Sequence, residues 1–359
     1  MSIWTNWDPL EEVIVGNCHS GVPKEWGLSG KARTMLDQIL KETKEDLDNL
    51  EKILQGLKVK VYRPTPNTFP RKIEILDFNI VNAASPIVPR DQYLAYGNTI
   101  YQTYTSMPDR YLDAYNYYSI FNELFQNGYN WISQPPPVIK NFEGNVKWYV
   151  EGPKIYSEDF KDKILWHTAT MFKCGDALIT NNAGPGSQLG LEWMRRNVDA
   201  RIINNDGTKV NNWGHIDHGF YMVDDNTVVC MNESWVPVCL RNKNIIELEG
   251  KFEEFDYQSF IKQTHNIKNQ TSLEWLEQWL GEWKGYAQDV AFETNVLVVD
   301  SCNVIFSTEQ PEVFALLNTL GINCHVCKIR HGIFWEAGIH CLTLDIKRKG
   351  INRTVVSTL

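Results

Sequence analysis

The sequence predicts an α/β fold built from a repeated hairpin-and-helix unit, and three observations carry that prediction. Segments 93–101, 220–229 and 295–305 each read as two alternating apolar runs joined by a short polar turn, the pattern of a β-hairpin. At least two of them are followed by an amphipathic stretch of helical period, 111–125 and 312–320. No low-complexity tract divides the chain, so residues 1–359 are expected to form a single domain of repeated modules.

The remaining elements follow in order. Glu12-Val13-Ile14-Val15-Gly16 is a short buried strand. Residues 31–57 form one long helix, with Leu36, Ile39, Leu40, Leu47, Leu50 and Leu54 on a single stripe. Lys58 to Tyr62 returns as a strand, and Pro135-Pro136-Pro137 is a stiff connector. Helices are expected at 188–197 and 272–283, the second burying Leu273, Trp275, Leu276 and Leu280. Near the C-terminus, Cys341 stands at the start of a strand in which Leu342, Leu344 and Ile346 share one face and Cys341, Thr343 and Asp345 the other.

A composition of 43% hydrophobic and 22% charged residues describes an ordinary globular chain. The formal net charge of −9, with no cluster of Lys and Arg, excludes a partner bound through its phosphate backbone, because that binding needs basic surface. A small polar substrate is expected instead. The start of the chain is neither basic nor apolar, and no later run is long enough to span a bilayer, so a cytosolic protein without a membrane partner is expected. The eight cysteines should then be free thiols. Cys324 and Cys327 flank His325 in a strand pattern and lack a second paired cluster, so they read as strand thiols and no metal site is expected.

Chemistry is expected at Cys341, whose apolar neighbours anchor the strand while the thiol points elsewhere; an inert core cysteine is the alternative reading. Before the second hairpin, His215-Ile216-Asp217 places a titratable base and a carboxylate on one face under period two. A histidine near a thiol can take its proton and later return it to a leaving amine. Asp91, in Pro89-Arg90-Asp91, introduces the first hairpin as Asp217 introduces the second. Carboxylates at equivalent module positions converging on one centre would suit a planar cation such as guanidinium.

Several stretches resemble the amidinotransferase family: 6–16, Pro89-Arg90-Asp91 with Gly97-Asn98, 189–196, His215-Ile216-Asp217, and Gly338-Ile339-His340-Cys341 followed by 345–350. Their order and approximate spacing are kept across nearly the whole chain. The resemblance implies a pentein-type β/α propeller, five ββαβ-like modules with pseudo-fivefold symmetry around a central active site. It implies a ping-pong reaction in which Cys341 takes an amidino group from arginine or a related guanidino donor and passes it to an amine such as glycine. In that reading His215 is the acid/base, Asp91 and Asp217 hold the guanidinium, no cofactor is needed, and the protein is a homodimer. Thr170 falls where the family has the aspartate that orients the histidine. The family's arginine near Ser234-Trp235 is missing, and a serine pair expected before the third hairpin falls on Gln288-Asp289. Two further readings are a guanidine-group hydrolase using the same cysteine intermediate and a binding protein for guanidino ligands.

Overall fold

The same wiring recurs in five three-stranded sheets, an antiparallel pair with a third strand added in parallel to one member. The structure, a computed structural model, describes residues 2–26, 29–69, 72–75, 78–81, 84–105, 110–137, 162–181, 187–205, 215–248, 294–335 and 337–357. The first strand, β1 (Leu10–Val15), leads into α1 (Gly30–Gly56) and the parallel strand β2 (Lys60–Tyr62). A small hairpin, β3 (Lys72–Ile75) and β4 (Phe78–Val81), follows. The second module is β5 (Tyr93–Tyr96), β6 (Thr99–Gln102), α2 (Ala114–Gln126) and β7 (Asn130–Ser133). The third is β8 (Met171–Cys174), β9 (Ala177–Thr180), α3 (Gln188–Asn197) and β10 (Arg201–Asn204). The fourth sheet holds β11 (Phe220–Met222), β12 (Thr227–Cys230) and β13 (Asn244–Glu247). The fifth holds β14 (Leu297–Asp300) and β15 (Asn303–Phe306), then α4 (Pro311–Thr319) and β16 (Asn323–Val326). After a short helix α5 (Gly332–Trp335), the last strand β17 (Thr343–Arg348) pairs antiparallel with β1 and completes the first sheet. The five expected modules of a pentein-type β/α propeller are therefore present, one of them split between the two ends of the described chain.

Local chemistry explains the elements. Gly97 and Gly175 have φ of 60° and 68°, the left-handed region a tight hairpin turn needs and glycine enters without a Cβ clash. All six leucine and isoleucine positions of the α1 stripe are fully buried, between the first and fifth sheets. Helix α2 lays Tyr117, Ile120, Phe121 and Leu124 against Tyr93 and Ile100 of its own hairpin. The terminal segments stitch modules together through bridges Ile3–Gly97, Thr5–Cys174 and Gly175–Thr354.

Some sequence expectations shift. The hairpin β8–β9 was not anticipated, because Lys173 interrupts its apolar pattern. Lys173 is buried, and its ammonium is 2.7 Å from Asp345, which also meets Arg90 at 2.8 Å and Arg348 at 2.9 Å. The parallel third strands β7, β10 and β13 were also missed; they are half-exposed edge strands whose pairing partner is remote in sequence. The strand carrying Cys324 ends at Val326, short of Lys328-Ile329. The predicted helix at 272–283 and the pair Gln288-Asp289 lie outside the described residues.

Candidate active site

Five turns lead into the first strand of each antiparallel pair, and their side chains meet. Asp91 lies two residues before β5, Asn295 two before β14 and Cys341 two before β17, with His218 at the same offset before β11. The backbone there is not strand. Pro89–Asp91, Thr168–Thr170 and Ile216–His218 are single 3-10 turns. This corrects the expectation of a strand through His215-Ile216-Asp217. Ile216 enters the core, as the period-two reading also had it. Cys341 likewise stands in the turn before its strand, which begins at Thr343.

The thiol of Cys341 is completely buried. Asn295 holds it from two sides: its Nδ2 donates to Sγ at 3.1 Å, and its Oδ1 accepts from the Cys341 amide at 3.1 Å. A Cβ on Gly338 would come within 2.6 Å of Asn295 Oδ1, so glycine at this position leaves that amide its place. Asp217 Oδ2 lies 3.7 Å from Sγ and 2.6 Å from His340 Nδ1. Asn6 Nδ2 reaches His340 Nε2 at 3.4 Å, so His340 is the neutral tautomer that donates from Nδ1 to the carboxylate. Arg90 closes the support from below, its Nε donating to the His340 carbonyl at 2.7 Å.

A second cluster adjoins the first. Asp91 is paired with Arg110 and lies 3.7 Å from His167 Nε2. The His167 ring packs on His215 with centroids 4.6 Å apart and planes inclined by 32°, and His215 meets His218 edge-on at 5.4 Å. Ligand-capable atoms of His215, Asp217, His218 and Cys341 all lie within 4.8 Å of one another, as do those of Asp91, His167 and His215. Of the residues expected from the sequence, Cys341, His215, Asp217 and Asp91 are therefore brought together. Thr170 is buried beside them, but its hydroxyl donates to the His167 carbonyl at 2.7 Å. Asn295, His167, His218, His340 and Arg110 were not anticipated. Asn295 and His218 could have been found from their offset to the hairpins; His167 could not, because it lies outside that register.

Electrostatics divide the groups. Burial, reinforced by Asp217 and Asp91, pushes the Cys341 thiol well above the ordinary cysteine range. Burial, the largest single effect, opposes ionisation of Asp217, but the hydrogen bond from His340 and the electrostatic influence of His340, His218 and His215 together outweigh it and hold the carboxyl well below the usual carboxylate range. Asp91 is likewise lowered against its burial, by His167, Arg110 and His215. Burial depresses His167 to about 3, and His218 and His340 to about 4. These three imidazoles stay neutral in the folded protein below pH 6.5, where the unfolded chain takes up protons. Stability from this source is full above pH 6.5 and is lost as pH falls toward 4, by up to about 1.4 kcal/mol per pH unit per histidine. Urea unfolding midpoints should drop steeply between pH 7 and 5, and His218→Asn should flatten that slope.

Such a site can hold a planar cation between Asp91 and Asp217 and bring it to a thiol. No family model matches the chain. It is 25% identical over 363 residues to inosamine-phosphate amidinotransferase 1 of Streptomyces griseus, covering 97% of both chains. It is 25% identical over 375 residues to the mitochondrial glycine amidinotransferase of Gallus gallus, covering 97% of this chain and 82% of the relative. In fold it is similar to SxtG, an amidinotransferase from Microseira wollei in the saxitoxin biosynthetic pathway, with a TM-score of 0.74, 20% identity and 99% of each chain covered. Over 97% of its length the chain is thus similar in sequence to amidinotransferases, and it shares its fold with one of them.

Proposed function

We propose that this protein is an amidinotransferase that moves an amidino group from arginine, or a related guanidino donor, to an amine such as glycine through an amidino-cysteine at Cys341. The observation that carries this reading is the buried thiol held by Asn295 beside the ionised carboxylate of Asp217, with Asp91 and His215 in the same centre. The names of the relatives support amidino transfer; donor, acceptor and residue roles are the proposal.

The buried thiol and two ionised carboxylates define the order of events. Burial and two negative neighbours oppose a thiolate at Cys341. A guanidinium placed between Asp91 and Asp217 reverses that field, and the Cys341 proton passes to His215. The thiolate adds to the guanidino carbon, forming a C–S bond. His215 returns the proton to the leaving nitrogen as the C–N bond breaks, and ornithine departs. The acceptor amine then adds to the amidino carbon, gives a proton to His215 and displaces the thiolate. Holding the cation matters because a guanidinium is a resonance-stabilised, poor electrophile.

His215 needs an orienting partner, and the Thr170 hydroxyl faces the His167 carbonyl. The orienting role falls to His167, whose ring packs on that of His215 at 4.6 Å and lies 3.7 Å from Asp91; it fixes the plane of His215 by ring contact and not through a hydrogen bond. His167→Phe keeps a ring against His215 and removes both nitrogens. It should lower kcat by roughly 10- to 100-fold with little change in KM and shift the acid limb of the pH profile. An unchanged profile would remove His167 as the positioning residue of His215.

The decisive experiment incubates the protein with arginine labelled in the guanidino carbon and measures intact mass and ornithine together. A label mapped to Cys341 and discharged by an added amine supports the transferase. Discharge by water alone gives the hydrolase, and neither adduct nor ornithine overturns arginine as donor. The same proposal includes one domain over residues 1–359, a cytosolic location and a homodimer, the last tested by light scattering. Among the described residues no helix is long and apolar enough to cross a membrane.

A further inference from the structure

The thiol of Cys341, the carboxylate of Asp217 and one ring nitrogen each of His215 and His218 lie within 4.8 Å of one another. One sulfur, two imidazoles and one carboxylate are a ligand set that suits zinc and similar divalent ions. Tetrahedral zinc, bound at about 2.0–2.3 Å, places its ligands roughly 3.3–3.8 Å apart, so closure asks for a movement of about an ångström. Cys341 and Asp217 already lie 3.7 Å apart.

Two independent features make this a supported site. Buried atoms stand without a protein partner there: Asp217 Oδ1 and His215 Nδ1 have no hydrogen bond, an expensive condition in a site this enclosed. The ligands also carry the outer hydrogen bonds that fix metal-binding groups: His340 donates to Asp217 Oδ2, leaving Oδ1 open, and Asn295 orients the Cys341 sulfur. A Cys324–His325–Cys327 site, by contrast, is not assembled. His325 Nε2 is engaged with Asn303 at 2.9 Å, and Cys327 points to the Asp46 carbonyl at 3.6 Å.

We infer that His215, Asp217, His218 and Cys341 form a divalent-cation site, filled by zinc, that competes with the guanidino donor for Asp217 and the Cys341 sulfur. The competition rests on the amidinotransferase reading above; the metal site does not. Binding replaces the S–H bond of Cys341 by a Zn–S bond and releases one proton to solvent. It removes both the nucleophile and the acid/base from use, so the metal is an inhibitor.

The test titrates chelator-treated, full-length protein with Zn²⁺ by calorimetry, in two buffers of different ionisation enthalpy, and with Co²⁺ by absorption. One equivalent should bind with release of one proton, and Co²⁺ should show thiolate-to-metal charge transfer. Cys341→Ser should abolish the charge-transfer band, and both Cys341→Ser and His218→Ala should weaken zinc by roughly 100-fold or more. Saturating arginine should weaken zinc binding to the unaltered protein, a measurement that needs no variant. Zinc affinity unchanged in both variants, or absence of stoichiometric binding, overturns the site, and affinity unmoved by arginine overturns the competition. The labelled-arginine assay in chelator separates the two ideas. An adduct without zinc binding removes the metal site alone, whereas zinc binding at Cys341 without an adduct removes arginine as the donor and leaves the metal site standing.

Discussion

Replacing Cys341 by alanine is expected to abolish the labelled adduct and to lower amidino transfer by roughly four orders of magnitude or more, with the fold retained. The loss is large because no other described thiol reaches the carboxylate pair: Cys18 meets the Leu40 carbonyl, Cys230 that of Ile246 and Cys327 that of Asp46. The cost in stability is small by comparison. Alanine removes one sulfur and leaves the Asn295 amide without an acceptor, about 1–2 kcal/mol. Serine should be equally inactive while keeping the Asn295 hydrogen bond, since its hydroxyl cannot be ionised by the charges available here. Ornithine release by either variant at the rate of the unaltered protein would refute the nucleophile assignment. Agreement between the two variants would show that the sulfur, and not the packing, is what the reaction uses.

Asp345→Asn is expected to destabilise the protein by about 3–5 kcal/mol, measured as urea unfolding, and to slow adduct formation even where the protein remains folded. Asp345 is completely buried and accepts from Arg90, Lys173 and Arg348. Burial opposes its ionisation, but the three cations hold it well below the usual carboxylate range. Burial in turn draws the Lys173 ammonium down to about 7. Without the carboxylate these cations face each other in the core, and the simplest relief is loss of the Lys173 proton. The activity effect has a separate route. Arg90 holds Asp345 through Nη2 and the His340 carbonyl through Nε, so releasing its guanidinium loosens the peptide next to the nucleophile. Lys173→Met should be far milder, because it removes one of three cations and leaves Arg90 in place. Equal losses in both variants would argue against the Arg90 route.

Much of the scaffold was legible because its causes are local. The α1 stripe, the hairpins at 93–101 and 295–305 and the helix at Gln188–Asn197 follow from period, turn residues and capping within a few residues. The parallel edge strands β7, β10 and β13 escaped because pairing, not composition, makes them strands. The hairpin β8–β9 escaped because Lys173 reads as polar until its partner on β17, 172 residues away, is brought beside it.

The site divides in the same way. Cys341, His215, Asp217 and Asp91 were legible as residue types that do chemistry close before hairpins; Asp91 and Cys341 share one offset, whereas His218 and not Asp217 holds that position before β11. By itself the sequence determined the repeat, the apolar faces and the offset that presents a side chain inward from each module. Only the tertiary structure decided which inward groups meet. It put Asn295 on the thiol, His340 on Asp217 and the His167 ring against His215. The reason is physical: the strand pattern is set by neighbours a few residues apart. The charge and hydrogen bonds at the centre come from five separate turns that only ring closure through β17 and β1 brings within reach.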